Sequence, residues 1–176
     1  MTKQELEECI DTYGRDIYSF CRHLTENVQE ADELYQDTWL KVVELLDNID
    51  STGNVKSYCL SVALKIWKNK RRKYAWRKRI AGTQDYLNGE SREYLQSEVA
   101  DSEERVLEEE RNRLVWTAVN ELQDKLKTVT LLYYMEELNT AQIAEVTNVS
   151  VGTVKSRLYH ARKLLKKKLE VVLNEE

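Results

Sequence analysis

Hydrogen-bond donors are concentrated on one side of the segment from Val151 to Leu173, near the end of the 176-residue chain. Apolar residues recur there at steps of three and four, which predicts a helix with one buried face: Val151, Val154, Leu158, Ala161, Leu165, Leu169 and Val172. The opposite face offers side chains that can reach phosphates and base edges in the major groove of DNA. The candidates for these contacts are Thr153, Lys155, Ser156, Tyr159, His160 and Arg162.

The residues before this helix have the spacing of a helix-turn-helix motif. A short helix is predicted over residues 140–146, with Thr140 as its N-cap. Asn148 is expected at the tight turn because asparagine tolerates a left-handed backbone conformation. Ser150 is expected to cap the second helix. The spacing favours DNA binding over the alternative, which is an ordinary pair of amphipathic helices with a solvated basic face.

A second group of donors lies in residues 61–82, which contain nine basic residues and no acidic one. Three aromatic residues, Trp67, Tyr74 and Trp76, lie among these cations. Aromatic faces stack on the bases of a single strand while cations follow its backbone, so this composition favours melted DNA over duplex alone. A solvated helix end and a helix that lies on a membrane surface are the two alternatives.

Charge is distributed unevenly along the chain, although the net charge is only −4. The net charge is −8 over residues 1–60, +9 over 61–82, −8 over 83–124 and +3 over 125–176. Two basic islands in an acidic chain favour a polyanionic partner, and the acidic blocks discourage indiscriminate binding.

Amphipathic helices are predicted to position both groups of donors, in an all-α fold. The chain has no proline and five glycines, so it has few forced helix breaks. Three helices are predicted in residues 1–82, the first opened by a capping box from Thr2 to Glu5. A turn-rich loop over residues 47–54 separates the second helix from the third. The third helix is predicted to run from about Val55 to Arg79. The inward residues of the second helix are expected to be Ala31, Leu34, Tyr35, Trp39, Val42, Val43 and Leu46. Those of the third are expected to be Tyr58, Val62, Ile66 and Trp67.

Residues 83–107 lose the helical period and predict a flexible acidic linker, with short helical turns near residues 94–99. Helical periodicity returns from Glu108 and indicates a second domain over residues 108–176. The stretch Val129–Tyr134 has some strand propensity because it is rich in β-branched and aromatic residues. A helix is the better prediction for it because its neighbours are helical and no partner strand is visible.

Several classes of protein are excluded by what the sequence lacks. It has no glycine-rich phosphate loop and no plausible pair of catalytic carboxylates, so we expect neither an enzyme nor a cofactor nor a small-molecule substrate. Cys9, Cys21 and Cys59 are widely spaced, and with only His23 and His160 they predict no zinc site and no disulfide framework. The absence of a signal peptide and of a long apolar run predicts a cytoplasmic protein.

Two stretches resemble one bacterial family, the extracytoplasmic-function (ECF) sigma factors of the sigma-70 family. Residues 151–162, VGTVKSRLYHAR, resemble the family's recognition helix. Residues 31–42, ADELYQDTWLKV, are similar to its RNA polymerase-binding helix. The order of a basic aromatic helix, an acidic linker and a helix-turn-helix also matches. The resemblance implies a σ2-like domain of three or four helices over residues 1–82 and a σ4-like domain over residues 108–176.

The resemblance also implies a function. Members of the family bind core RNA polymerase through both of its large subunits and direct it to promoter DNA. The σ2 domain binds the polymerase clamp helices and melts the −10 element, and the σ4 domain recognises the −35 element. Many members are held inactive by an anti-sigma factor that is anchored in the membrane.

Individual residues carry these implied roles. The family's clamp-binding face corresponds to Asp32, Glu33, Gln36 and Asp37, and its loop for a flipped −10 base corresponds to residues 47–54. Lys65 replaces a common asparagine and His160 a frequent arginine, so those two contacts are expected to differ. The usual proline after Leu122 is absent. The residues expected to contact the −10 element are Lys65, Trp67, Lys68, Asn69, Arg71 and Arg72.

The main alternative is a helix-turn-helix regulator that binds duplex operators without core polymerase. Such a protein would need a dimerisation surface or an effector pocket, and neither is evident in the sequence. An anti-sigma factor is a further possibility because those proteins are also small and helical. The closely spaced histidine and cysteines of zinc-binding anti-sigma factors are absent.

Overall fold

The computed structural model describes residues 1–80 and 103–173. Regular structure in these two ranges is helical throughout, which confirms the all-α prediction. The N-terminal unit contains α1 (Lys3–Leu24), α2 (Val28–Glu44), a 3₁₀ turn (Leu46–Asn48) and α3 (Val55–Ile80). The C-terminal unit contains α4 (Glu103–Asn120), α5 (Asp124–Tyr134), α6 (Thr140–Thr147) and α7 (Val151–Leu173). These two compact units are described separately.

The three helices of the N-terminal unit pack pairwise around one apolar core. Ile17, Phe20, Leu34, Leu60 and Leu64 are among its most completely buried side chains. All three cysteines are free, and their side chains are buried. The predicted capping box is confirmed, because the Thr2 hydroxyl accepts from the Glu5 amide at 3.2 Å and the Glu5 carboxylate accepts from the Thr2 amide at 2.6 Å. The start of α1 is therefore set by its local sequence.

Two of the predicted apolar faces need correction. Val43 was expected inward, but its side chain is 51% exposed. Thr38 is buried instead, with its hydroxyl donating to the Leu34 carbonyl at 2.6 Å, so a polar residue can join the core by bonding to its own helix. In α3, Tyr58 and Ile66 are only half-buried. Helices α1 and α2 both pack against α3, so its buried surface is wider than a single stripe and includes Cys59, Leu60, Ala63 and Leu64.

In the C-terminal unit, α7 packs against α4 and α5. Leu122, Leu126 and Ala161 form a buried cluster, with Leu165 packed against its edge. The helix prediction for residues 129–134 is confirmed by α5. Val151 was predicted inward but is exposed, because it occupies the first turn of α7.

The boundary of the predicted linker also changes. Helix α4 begins at Glu103, four residues before the predicted end of the linker at residue 107. The helical turns predicted near residues 94–99 lie outside the described residues, as does the side chain of Val172.

The helix-turn-helix is formed by α6 and α7. The Asn139 side chain accepts from the amides of Ala141 and Gln142, both at 3.0 Å, and the Gln142 side chain accepts from the Asn139 amide at 2.9 Å. Asn139 is therefore the N-cap of α6, and the prediction of Thr140 was wrong by one residue because Thr140 is already the first residue of the helix. Ser150 caps α7 as predicted, accepting from the Thr153 amide at 3.1 Å.

The turn between α6 and α7 depends on Asn148, whose φ of 54° is left-handed as predicted. We expect Asn148→Ala to lower the free energy of unfolding of the C-terminal unit by about 1 kcal/mol, because a Cβ without a compensating polar group disfavours this conformation. Asn148→Gly should be at least as stable as the native chain. Urea unfolding of the full chain, followed by circular dichroism, measures both variants. Equal stability of the alanine and glycine variants would contradict this explanation, and Glu145→Ala, at an exposed position of α6, is the control.

Candidate functional site

The polar residues of α2 form one continuous face, which we call the acidic face: Asp32, Glu33, Gln36 and Asp37. Glu33 and Gln36 are exposed, whereas Asp32 and Asp37 are half-buried. The Tyr18 hydroxyl of α1 donates to Asp32 at 2.8 Å, and this hydrogen bond raises the pKa of Tyr18. Asp32 is thus held against the unit, while Glu33 and Gln36 remain accessible to a partner.

Lys70 of α3 lies next to the acidic face. Its ammonium nitrogen is 2.7 Å from the Asp37 carboxylate and 3.6 Å from the Glu33 carboxylate. Nothing in the sequence pattern linked Lys70 to these acids, because the contact joins residues more than thirty positions apart. Since between 44% and 57% of each of the three side chains is exposed to solvent, the ion pairs contribute at most about 1 kcal/mol and can be exchanged for a partner's charges.

An apolar patch continues the acidic face toward the end of α2. Leu40 and Val43 lie one and two turns after Gln36, and both are exposed. This pair is the part of the surface that sequence reasoning missed, because Val43 had been assigned to the core.

The second half of α3 is exposed on all sides, and every residue from Lys68 to Ile80 is accessible. Of the predicted DNA-contacting residues, Lys65, Lys68, Asn69, Arg71 and Arg72 are exposed. Several of their side chains have partners within the unit. Arg72 donates to the Asn69 side chain at 3.3 Å, and Arg71 pairs with Glu26 at 3.5 Å.

Trp67 does not fit the prediction that it stacks on a base. Only 6% of its surface is exposed, because this part of α3 is still covered by the neighbouring helices. The Arg71 guanidinium lies 5.4 Å from the centre of its ring. The aromatic side chains that are available in this helix are Tyr74 and Trp76, whose exposed fractions are 66% and 57%. The structure therefore places Trp67 in the core. The sequence had allowed this role as well as stacking, because the helical spacing of Trp67 predicted an inward side chain.

The loop over residues 47–54 is held by short-range hydrogen bonds. The Asp50 carboxylate accepts from the amide and the hydroxyl of Thr52, at 2.9 and 2.7 Å. These bonds lower the pKa of Asp50, because they stabilise its charged form. The Asn54 side chain accepts from the Ser57 amide at 2.9 Å and caps α3. The amino terminus donates to the Ile49 carbonyl at 2.9 Å, which ties the loop to the start of the chain.

Most of the predicted DNA-facing residues of α7 lie on its exposed side. Lys155, Ser156, Tyr159 and His160 form a continuous strip, in which the Tyr159 and His160 rings meet edge to face at 5.6 Å. Thr153 is half-buried, and its hydroxyl bonds to that of Ser150 at 2.9 Å, so it takes part in the cap. The structure thus brings the predicted base-reading residues together on one surface.

Arg162 is exposed but is held by α5. Its Nε donates to the Tyr134 hydroxyl at 2.7 Å, and its guanidinium carbon lies 5.3 Å from the centre of the Tyr133 ring and 5.7 Å from that of Tyr134. The hydrogen bond to Tyr134 raises the pKa of Arg162 above its usual value. Sequence reasoning missed the two tyrosines, because no local pattern connects α5 with the fourth turn of α7.

The comparisons with known proteins agree with this arrangement. Residues 9–77 match the family model described as sigma-70 region 2, and residues 112–165 match that of sigma-70 region 4. The chain is 29% identical to the ECF RNA polymerase sigma factor SigW of Bacillus subtilis over 169 residues, which cover 92% of this chain and 87% of SigW. It is 25% identical to SigM of the same organism over 171 residues, covering 97% of this chain and 99% of SigM.

Two solved structures share the fold. One is the sigma factor RpoE in complex with the anti-sigma factor NepR from Bartonella quintana, with a TM-score of 0.75 and 17% identity over 97% of this chain and 99% of that one. The other is CnrH in complex with the cytosolic domain of CnrY, with a TM-score of 0.66 and 16% identity over 97% of this chain and 90% of that one.

The fold and the two matched regions define a sigma factor of the sigma-70 type. Within that class, the chain belongs to the ECF sigma factors. It is an alternative sigma factor, a transcription initiation factor rather than an enzyme, and sigma factors act by binding core RNA polymerase and promoter DNA. Within residues 1–80 and 103–173, none of the helices combines the length and the apolar character needed to cross a membrane.

Proposed function

We propose that this sigma factor divides its work between the two units. The acidic face of α2 binds the clamp helices of core RNA polymerase, the exposed half of α3 and the loop over residues 47–54 hold the −10 element, and α7 reads the −35 element. The observation that carries the proposal is the separation of charge. An exposed acidic surface lies on α2, whereas the exposed surfaces of α3 and α7 are basic.

The acidic face suits a basic protein partner. Its carboxylates are accessible, and the only partner seen for Glu33 and Asp37 in the described residues is Lys70, through exposed ion pairs that are readily exchanged. Leu40 and Val43 add apolar surface beside the charges. Interfaces of this kind combine charge complementarity with a buried apolar centre.

In α3, we assign stacking on the melted −10 strand to Tyr74 and Trp76 instead of Trp67. Their rings are exposed, and they lie among cations that can follow the strand backbone. Lys65, Lys68, Asn69, Arg71 and Arg72 then supply contacts to phosphates and base edges.

Run-off transcription with core RNA polymerase on a promoter library tests the function as a whole. We expect transcripts to start downstream of one pair of −35 and −10 motifs only when this chain is present. A regulator that acts without core polymerase would instead bind duplex operators equally well with and without polymerase, and would support no promoter-specific initiation.

The face of α7 leads to a prediction that separates base reading from backbone contact. Lys155 lies early in α7, where side chains reach base edges, so Lys155→Ala should change the preferred −35 sequence and cost about 1–3 kcal/mol at its cognate base. Arg162 lies two turns later, so Arg162→Ala should weaken binding to all sequences alike. It should also reduce by about one the magnitude of the salt slope, which is the slope of the logarithm of the binding constant against the logarithm of the salt concentration.

Binding of holoenzyme to a −35 library at several salt concentrations measures both effects. Lys167→Ala is the matched control, because it removes one positive charge from α7 on the side that faces α4. Unchanged sequence preference and unchanged salt dependence in both variants would show that α7 is not the promoter reader.

The fold neighbours suggest how the protein is regulated. One of the two solved structures is a complex with an anti-sigma factor, and the other is a complex with the cytosolic domain of a second protein, CnrY. We infer that this chain works in the cytoplasm and is held inactive by an anti-sigma factor anchored in the membrane. A tagged chain purified from its native host should recover one protein with a membrane-spanning segment, and the purified partner should block run-off transcription. Recovery of a partner that lacks such a segment would contradict the membrane anchor.

A further inference from the structure

Tyr134 and Arg162 form a pair at the edge of the surface proposed to read the −35 element. Tyr134 is the last residue of α5, and its ring is 56% exposed. The Arg162 Nε donates to its hydroxyl at 2.7 Å, and the rings of Tyr133 and Tyr134 lie beside the guanidinium. The arginine is therefore held in one orientation by contacts with uncharged groups.

The hydrogen-bond chemistry of this pair leaves donors free. A guanidinium has five N–H donors, and the bond from Nε leaves the four N–H groups of the two terminal nitrogens. The Tyr134 hydroxyl accepts this bond, so its own proton remains available for donation to another oxygen. Two kinds of donor, one of them cationic, thus lie side by side on an exposed surface.

This arrangement suits a phosphate. The terminal nitrogens of arginine match two oxygens of a phosphate group in a bidentate contact. Stacking and the bond to Tyr134 already restrict the long side chain, so less conformational freedom is lost when the anion binds. The charge of Arg162 is not neutralised by its tyrosine partners, so it is available to a polyanion.

We propose that Tyr134 and Arg162 together bind one backbone phosphate of the promoter duplex, with Tyr134 both orienting the guanidinium and donating its own hydrogen bond. This inference rests on the proposed role of α7 in DNA binding and adds to it a residue from α5. Tyr134 thereby fixes the position of α7 along the DNA without reading any base.

The test measures binding of the full chain to a fluorescein-labelled duplex of random sequence, about 30 base pairs long, at KCl concentrations from about 50 to 200 mM. Tyr134→Phe keeps the ring beside the guanidinium but removes the hydroxyl. We expect it to weaken binding by about tenfold or more, as for the loss of one hydrogen bond to a charged group. Arg162→Lys keeps the charge but lacks the planar fork, so it should weaken binding to a similar extent with an unchanged salt slope.

Arg162→Ala provides the decisive comparison. It should reduce the salt slope by about one, because one phosphate contact is lost. Adding Tyr134→Phe to it should weaken binding by less than about twofold, because the two groups act on the same phosphate. Lys167→Ala, which removes the same charge elsewhere on α7, should leave the slope unchanged. Circular dichroism melting shows whether each variant is folded. If Tyr134 and Arg162 only hold α5 against α7, the variants should change the melting temperature of the protein without changing the salt slope.

Two outcomes would overturn the proposal. Native-like binding by Tyr134→Phe contradicts a role for the hydroxyl, and a native salt slope in Arg162→Ala contradicts the phosphate contact. If either result occurs while Lys155→Ala still alters the −35 preference, the inference fails and the proposed function of α7 stands. If Lys155→Ala also leaves binding to every −35 sequence unchanged, the proposed DNA-reading function of α7 fails as well.

Discussion

Replacing Trp67 with alanine is expected to lower the free energy of unfolding of the N-terminal unit by about 3–5 kcal/mol. The indole is 94% buried in α3, where the helix packs against α1 and α2. Truncation removes a large apolar surface from the core and leaves a cavity that neighbouring side chains fill only in part. A loss of this size is a large fraction of the stability of a typical domain, so all activities of the unit should fall together.

Urea unfolding of the full chain, followed by circular dichroism, measures the effect. Trp76→Ala is the matched control, because it makes the same chemical change nine residues later in the same helix, at an exposed position. It should leave stability within about 0.5 kcal/mol of the native chain. Trp76→Ala should nevertheless reduce the permanganate reactivity of thymines in the melted −10 region, because the Trp76 ring is proposed to stack on the melted strand. A native-like stability of Trp67→Ala would show that the burial of this indole does not stabilise the unit.

Reversal of two acids of the acidic face, in a Glu33→Lys and Asp37→Lys double variant, is expected to weaken binding to core RNA polymerase by about 2 kcal/mol or more, roughly thirtyfold. The carboxylates lie on the surface proposed to meet the basic clamp helices. Reversal removes two attractive contacts and places positive charges against positive charges. It also leaves Lys70 without the acids that it contacts on α2, but those exposed pairs contribute at most about 1 kcal/mol to stability.

Competition for core polymerase against a labelled sigma factor gives the affinity of each variant. The control is a Glu7→Lys and Asp11→Lys double variant on the exposed side of α1, which makes the same change in net charge at the same spacing along a helix. It should bind core polymerase as the native chain does at physiological salt, since charges far from the interface are screened. An equal loss of affinity for core polymerase in both double variants would indicate a general effect of charge. It would contradict the proposal that α2 lies in the interface.

Much of the local structure follows from the sequence by short-range physical chemistry. The capping box at Thr2, the cap at Ser150 and the left-handed Asn148 all depend on groups within a few residues of each other. The helical period identifies the helices because side chains three and four positions apart share a face in any α-helix. The same period placed Lys155, Ser156, Tyr159 and His160 on one exposed surface of α7.

The errors have a common cause. Periodicity gives the relative directions of side chains on one helix, but it does not give how far along that helix its neighbours extend or how much of its circumference they cover. Trp67 and Trp76 both lie among cations in the sequence, yet packing by other helices buries the first and leaves the second exposed. Val43 follows the apolar pattern of α2, but it lies just outside the arc that α1 and α3 cover.

Contacts between distant residues depended entirely on tertiary packing. Lys70 reaches Asp37 because α3 lies against α2, and Arg162 reaches Tyr134 because α7 crosses the end of α5. The types of these residues suggested their chemistry, with acids for a basic partner and cations for phosphates. Which of them are paired, oriented or hidden is set by the packing of helices, because a side chain of a few ångströms interacts only with what the fold brings within its reach.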